Sequence, residues 1–158
     1  NIGSGGAARA AVYSLLDLKF KEILICNRTL SKSKKLKSDM EKIFPSKKNS
    51  KISLKKLNQL EKSLNNINLL INTTPLGMKG FKNFILPIKK LDKNVVVFDL
   101  IYNPLETFLL KQAKQNGNKT INGLKMLLYQ AQNSFFQWFR KKPRITKELE
   151  NKIKEKIK

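Results

Sequence analysis

The stretch Asn1-Ile2-Gly3-Ser4-Gly5-Gly6-Ala7-Ala8-Arg9-Ala10-Ala11-Val12-Tyr13-Ser14-Leu15-Leu16 decides how the rest of the chain is read. It opens with a glycine-rich turn and runs without a break into alanine- and leucine-rich residues of high helix propensity and apolar spacing. Gly3, Gly5 and Ala8 fall on the G-x-G-x-x-A spacing of a dinucleotide turn. In such a turn the glycines let the backbone approach a pyrophosphate, and the small sixth residue lets helix and strand pack closely. The helix that follows adds a positive dipole end and free N–H groups that favour an anion. A glycine turn with a purely structural purpose has the same composition, so the neighbouring segments have to decide between the two.

Working outward, Glu22 to Cys26 is a short, branched apolar run of the kind found in buried parallel strands. Ser31 then caps a lysine-rich helix that runs to about Phe44, where Pro45 stops it. A short strand is expected near Lys51 to Ser53, inside a Lys/Ser/Asn-rich connection from Ser46 to Asn66. Ile67 to Ile71 and Val95 to Leu100 are further buried strands, each followed by a polar or proline-containing loop. Leu105 to Asn116 reads as a helix ended by Gly117, Lys119 to Ile121 as a strand, and Leu124 to Phe139 as an aromatic-rich helix. The alternation implies an α/β fold with a doubly wound parallel sheet. After Pro143 the tail gives one amphipathic helix with Ile145, Leu149, Ile153 and Ile157 on a single stripe.

The 158 residues, 41% of them hydrophobic, suffice for one core of ordinary domain size. No apolar run is long enough to span a bilayer and the N-terminus lacks signal-peptide features, so a soluble, non-membrane protein is expected. The lone Cys26 has no internal disulfide partner and sits in an apolar run, which points to a buried thiol in a reducing, cytoplasmic setting. With no histidine in the chain, imidazole bases and imidazole metal ligands are excluded, and no metal site is expected. The net charge of +22 raises a basic nucleic-acid-binding domain as an alternative. Against it, Arg9, Arg28, Arg140 and Arg144 are the only arginines and the lysines are scattered, whereas a nucleic-acid footprint clusters its charge and uses arginine for bidentate contacts. No nucleic-acid partner is therefore expected.

The second strand ends at Asn27-Arg28-Thr29, where an NAD-specific fold carries an acidic residue for the ribose 2′-hydroxyl. Here Arg28, Thr29 and Lys32 offer cationic and hydroxyl donors instead, a set suited to the 2′-phosphate of NADP. The bland account is a solvated basic loop in a lysine-rich protein. Three more polar segments, Asn72-Thr73-Thr74-Pro75-Leu76-Gly77-Met78, Asp99-Leu100-Ile101-Tyr102-Asn103-Pro104 and Asn122-Gly123-Leu124, follow strands at the same carboxyl edge. Open α/β sheets bind their ligands there.

Taken in order, the glycine turn with Arg9, Asn27-Arg28-Thr29, Asn72 to Met78, Tyr102-Asn103-Pro104, and Asn122-Gly123-Leu124 with Met126 and Gln130 make the chain resemble the shikimate dehydrogenase family. The resemblance covers nearly the whole chain and is loose through Ser31 to Asn66. It implies a Rossmann-like, NADP-binding domain over residues 1–140, and a C-terminal helix over residues 141–158 that packs on a substrate domain. It places Gly3, Ser4, Gly5, Gly6 and Ala7 around the pyrophosphate, and Asn27, Arg28, Thr29, Leu30, Ser31 and Lys32 around the adenosine ribose and its 2′-phosphate. Thr73 joins the cofactor contacts, and Leu100, Gly123 and Met126 lie near the nicotinamide. Tyr102 and Gln130 reach shikimate or 3-dehydroshikimate. The Lys and Asp of the proton-transfer pair belong to an N-terminal domain that nothing in these 158 residues matches, so no catalytic residue is assigned in this chain. Only Asn1-Ile2 precede Gly3 where a strand of about five residues is expected. The chain is thus expected to be the cofactor half of an oxidoreductase of aromatic amino acid (chorismate) biosynthesis, inactive alone. A quinate/shikimate dehydrogenase paralogue and a non-catalytic Rossmann nucleotide-binding module are the other readings. A homodimer stays open.

Overall fold

The computed structural model describes residues 1–45 and 50–157. Five strands, β1 (Glu22–Asn27), β2 (Lys51–Lys56), β3 (Leu69–Asn72), β4 (Val96–Asp99) and β5 (Lys119–Ile121), run parallel. β1 pairs with β2, and β3, β4 and β5 follow one another. Ile2 joins the two groups by bridging Cys26 on one side and Asn72 on the other. Across the sheet the order is therefore β2, β1, Ile2, β3, β4, β5. The chain starts in the middle, steps outward through β1 and β2, then returns and steps the other way. Ile2 marks the reversal, and in a doubly wound sheet the crevice beyond the carboxyl ends at that reversal is where ligands lie.

Both faces of the inner strands β1, β3 and β4 are largely apolar because both are covered. Ile23 and Ile25 point into a core with Ala8, Val12, Leu15 and Leu16 of α1 (Gly6–Asp17) and Leu36 and Met40 of α2 (Leu30–Ile43). Cys26, Leu70 and Val97 point the other way, onto Leu109, Leu110 and Ala113 of α3 (Phe108–Gln115) and onto Leu60 and Leu64 of a 3₁₀ segment, Leu57–Asn66. That alternation is the period-2 geometry of a strand, with neighbours on opposite faces. The result is a three-layer Rossmann-like α/β fold.

Several boundaries differ from the sequence reading. Ser31 lies inside α2, and Thr29 occupies the cap position without a side-chain bond. α3 begins at Phe108 rather than Leu105, because Thr107 is the residue whose hydroxyl accepts from the Leu110 N–H. The strand expected near Lys51 to Ser53 extends to Lys56, paired with β1 along its length. Ser46 to Asn49 of the expected connection, and Lys158 of the tail, lie outside the described residues. α4 (Leu124–Phe139) has the extent that its apolar spacing predicts. α5 (Lys147–Lys156) starts after Ile145, is capped by Thr146 and buries no residue. No described helix is long and apolar enough to cross a membrane.

Candidate functional site

Gly3 is the pivot of the carboxyl edge. Its N–H donates to the Cys26 carbonyl, 2.8 Å, while the Thr73 N–H donates to the carbonyl of Ile2, 2.9 Å. Its φ of +109° lies in the left-handed region, and a Cβ built there would come within 2.5 Å of Thr73 Oγ1, so only glycine fits. The chain then enters α1 through Gly5, which caps the helix without a side-chain bond, and the first intrahelical bond is Arg9 N to Gly5 O. The N–H groups ahead of it have no acceptor among the described residues, the first turn carries no acidic residue, and Gly5, Gly6 and Ala7 are exposed. A Cβ on Gly5 or Gly6 would meet nothing within 4 Å. This is an open, positively polarised backbone cradle.

β1 delivers Asn27 to the same place. Its amide donates to Ser4 Oγ, 2.6 Å, and to the Thr29 carbonyl, 2.9 Å, tying the glycine turn to the loop after β1. Arg28, Thr29, Ser31 and Lys32 are exposed and Leu30 is half-buried. Neither Arg28 nor Lys32 has an ion-pair partner among the described residues. Arg28 also lines a cavity of about 590 Å³ whose other walls include Lys56, Leu57, Leu76 and Ile85. An apolar slot flanked by cations is suited to a flat ring carrying phosphate. A second cavity of about 570 Å³, beside Asn1, Ile23 and Leu69, lies toward the amino ends of the strands, away from the polar loops.

On the other side of Gly3 a buried polar network joins the remaining loops. Asn72 Nδ2 donates to Asp99 Oδ1, 3.0 Å, and to the Leu76 carbonyl, 3.2 Å, while Asn72 Oδ1 accepts from the Thr74 N–H and hydroxyl. Asp99 Oδ1 also accepts from the Ile101 N–H, 3.2 Å, and Oδ2 from Thr107 Oγ1, 2.7 Å. Asn72 and Asp99 are fully buried. Burial pushes the Asp99 carboxyl above the usual carboxylate range, opposed by the bonds from Thr107, Ile101 and Asn72. Gly123 closes the row: its N–H donates to the Ile101 carbonyl, 2.9 Å, and a Cβ on it would fall on the Leu100 carbonyl.

The structure thus brings Gly3, Ser4, Asn27, Thr73, Leu100 and Gly123 to one continuous edge through stated contacts. Met126 is half-buried on the first turn of α4, while Tyr102 and Gln130 are exposed, and neither side chain makes a hydrogen bond among the described residues. Sequence reasoning placed Asp99 at the head of one polar segment of this edge but gave it no role, and it passed over Thr107. The available signal was an acidic residue closing an otherwise apolar strand, a position whose burial demands partners. Cys26 is buried, and burial raises its thiol pKa against the pull of the N-terminal amine and Lys55, so it is an inert core group.

Comparison with known proteins agrees with this architecture. The family described as shikimate / quinate 5-dehydrogenase matches residues 1–101. The shikimate dehydrogenase (NADP(+)) of Methanocaldococcus jannaschii is 40% identical over 159 residues, covering 98% of this chain and 54% of that protein. The enzyme of the same name from Roseobacter denitrificans is 38% identical, covering 92% of this chain and 50% of its own. A crystal structure of a shikimate dehydrogenase in complex with NADP+ superposes with a TM-score of 0.83 at 38% identity, covering 99% of this chain and 53% of that one. The chain spans about half the length of the curated relatives it matches. With identity at this level over nearly all of its residues, the chain belongs to the shikimate / quinate 5-dehydrogenase family.

Proposed function

We propose that the chain is the cofactor-binding half of an NADP-dependent shikimate dehydrogenase, which interconverts 3-dehydroshikimate and shikimate. The observation that carries this reading is the pairing of the open glycine cradle at α1 with two cations that have no ion-pair partner among the described residues, Arg28 and Lys32, on a segment from the end of β1 to the first turn of α2 that contains no acidic residue. A dinucleotide pyrophosphate suits the free N–H groups at Gly6 and Ala7, and a ribose 2′-phosphate suits Arg28, Thr29 and Lys32. Bound at this edge, the cofactor supplies the hydride exchanged with the substrate carbon.

The chain's own residues bind and orient. Gly3 to Ala7 hold the phosphates, Asn27 fixes the cradle against the loop after β1, and Thr73 buttresses Gly3. Leu100, Gly123 and Met126 form the wall on which the nicotinamide rests. Tyr102 and Gln130, whose exposed side chains have no hydrogen-bond partner among the described residues, are the groups that hold substrate hydroxyls. The proton is handled from the facing substrate domain, against which α5 packs its half-exposed stripe of Leu149, Ile153 and Ile157. On this reading residues 1–140 are the cofactor domain and residues 141–158 the tail. The buried free thiol of Cys26 suits a reducing cytoplasm.

Calorimetric titration of the 158-residue chain with NADP and with NAD tests the reading. Saturable binding of NADP, tighter than that of NAD, is the expected result. Absence of saturable binding by either, or a preference for NAD, sinks it.

A further inference from the structure

Asp99 is given no contact with cofactor or substrate above, yet three segments of the site hang on it. Its Oδ1 takes the Asn72 amide at 3.0 Å and the Ile101 N–H at 3.2 Å, and its Oδ2 takes the Thr107 hydroxyl at 2.7 Å. Through Asn72, which also bonds Thr74 and the Leu76 carbonyl, it fixes the loop after β3. Through the Ile101 N–H it fixes the turn that carries Leu100 and Tyr102, and the carbonyl of the same Ile101 takes the Gly123 N–H at 2.9 Å. Through Thr107, whose hydroxyl also accepts from Leu110 N–H, it seats the start of α3. No ion pair relieves the carboxyl among the described residues, and it is wholly buried. A carboxyl at the core of a sheet costs stability relative to an apolar side chain, and such a group is retained where its lone pairs set a geometry that apolar packing does not.

We infer that Asp99 is a positioning residue for the nicotinamide end of the cofactor site, holding the Leu100–Ile101 backbone in the register that Gly123 requires, and this rests on the assignment of Leu100, Gly123 and Met126 to the nicotinamide wall. Two neighbouring features make the register narrow. The Gly123 backbone lies so close to Leu100 that no Cβ fits between them, so small displacements of residues 100–101 are transmitted to the start of α4. And the adenosine end, built on Arg28, Asn27 and the glycine turn, shares no hydrogen bond with Asp99. The two ends of the site are therefore separable by experiment.

The test compares two probes on the 158-residue chain: NADP, which spans both ends, and adenosine 2′,5′-bisphosphate, which reaches the adenosine end alone. In the unaltered chain NADP is expected to bind more tightly than the fragment. Asp99→Asn keeps the shape and the Oδ1 acceptor but places an NH2 group where Thr107 donates, so the pull on Thr107 and residues 100–101 relaxes without opening a cavity. The expected outcome is an NADP affinity lower by about three- to tenfold with the affinity for the bisphosphate unchanged. Thr107→Val, which removes the donor, should reproduce the loss, and Thr107→Ser, which keeps the hydroxyl, should restore it. Equal losses for both probes mark Asp99 as a general structural residue and overturn the inference, as does an unchanged NADP affinity in Asp99→Asn. If the unaltered chain binds neither probe, the cofactor reading itself fails. If it binds both equally, the wall at Leu100 holds no ring and the positioning role falls alone.

Discussion

Arg28 is exposed, has no ion-pair partner among the described residues and lies one residue beyond Asn27, whose amide locks the loop to the glycine turn. A guanidinium held there gains a charge-assisted bond only when the ligand carries a 2′-phosphate. Arg28→Ala is expected to weaken NADP binding by about 1.5–3 kcal/mol while barely changing NAD binding. Equal losses for the two dinucleotides in calorimetry would move Arg28 out of the phosphate site. Two glycines make a contrasting pair. Gly123→Ala places a methyl on the Leu100 carbonyl and must push the 100–101 backbone aside, so it should destabilise by about 2 kcal/mol or more in urea denaturation. Gly5→Ala meets nothing within 4 Å and should cost less than about 1 kcal/mol. Comparable losses at the two positions would contradict the close approach at Gly123.

At the scale of elements, β3, β4 and α3 are joined at their ligand-facing ends by one carboxyl, and this leaves a signature in pH. Burial raises the Asp99 pKa above its unfolded value of about 3.9. The folded state then holds the proton to higher pH than the unfolded chain does. That contribution to stability is complete below the unfolded pKa and is lost as pH rises through the folded one. Relative to wild type, Asp99→Asn should therefore gain stability as pH is raised from about 3 to 7, since the amide has no proton to lose. A stability difference that stays flat over that range contradicts a raised Asp99. α5 makes the opposite case of an element held by little. Its Thr146 cap bonds Leu149 N–H at 3.2 Å, and Glu148–Lys152 and Glu150–Lys154 pair along the helix, yet none of its residues is buried. Ion pairs of that kind contribute only about 0.3–0.5 kcal/mol each. A chain ending at Arg140 should keep its unfolding free energy within about 1 kcal/mol and its NADP affinity unchanged. A larger loss in either would show that the tail is part of the cofactor domain.

At the scale of the whole molecule, the sheet offers one wall of a cleft. Hydride transfer requires the nicotinamide carbon and the substrate carbon in near-attack contact and a group to exchange the hydroxyl proton. The exposed Tyr102 has no hydrogen-bonded neighbour among the described residues to activate it, and the chain has no histidine. The 158-residue chain should bind NADP but show no shikimate-dependent reduction of it above background. Joined after the substrate half of a relative, it should turn over. In that fusion Gln130→Ala should act mainly on KM, by about three- to tenfold, because the role proposed for it is to hold a hydroxyl and not to move a proton. Turnover by the chain alone at an ordinary enzymatic rate would place the proton-transfer group within these residues.

The sequence by itself determined most of the element types and the parallel class, because apolar runs such as Ile23–Cys26 and Val95–Val97 are short, branched and bounded by turn residues as strands covered on both faces are, and because Gly3, Gly5 and Ala8 have a spacing with a backbone meaning. It also marked Arg28 and Lys32, since a missing acidic residue at the end of a strand is visible in one dimension. The tertiary structure alone decided which strands flank Ile2, and therefore where the order reverses and the crevice opens. Pairing between residues some 25 to 70 positions apart leaves no local pattern to read. The same holds for Asp99: its identity was plain, but the partners that make it a hub, Asn72 and Thr107, come from a different strand and the cap of a helix. So too for Gly123, which looks like any loop glycine until the Leu100 carbonyl is found where its side chain would be. Local propensity is written residue by residue, whereas the contacts that fix a site exist only once distant segments have packed.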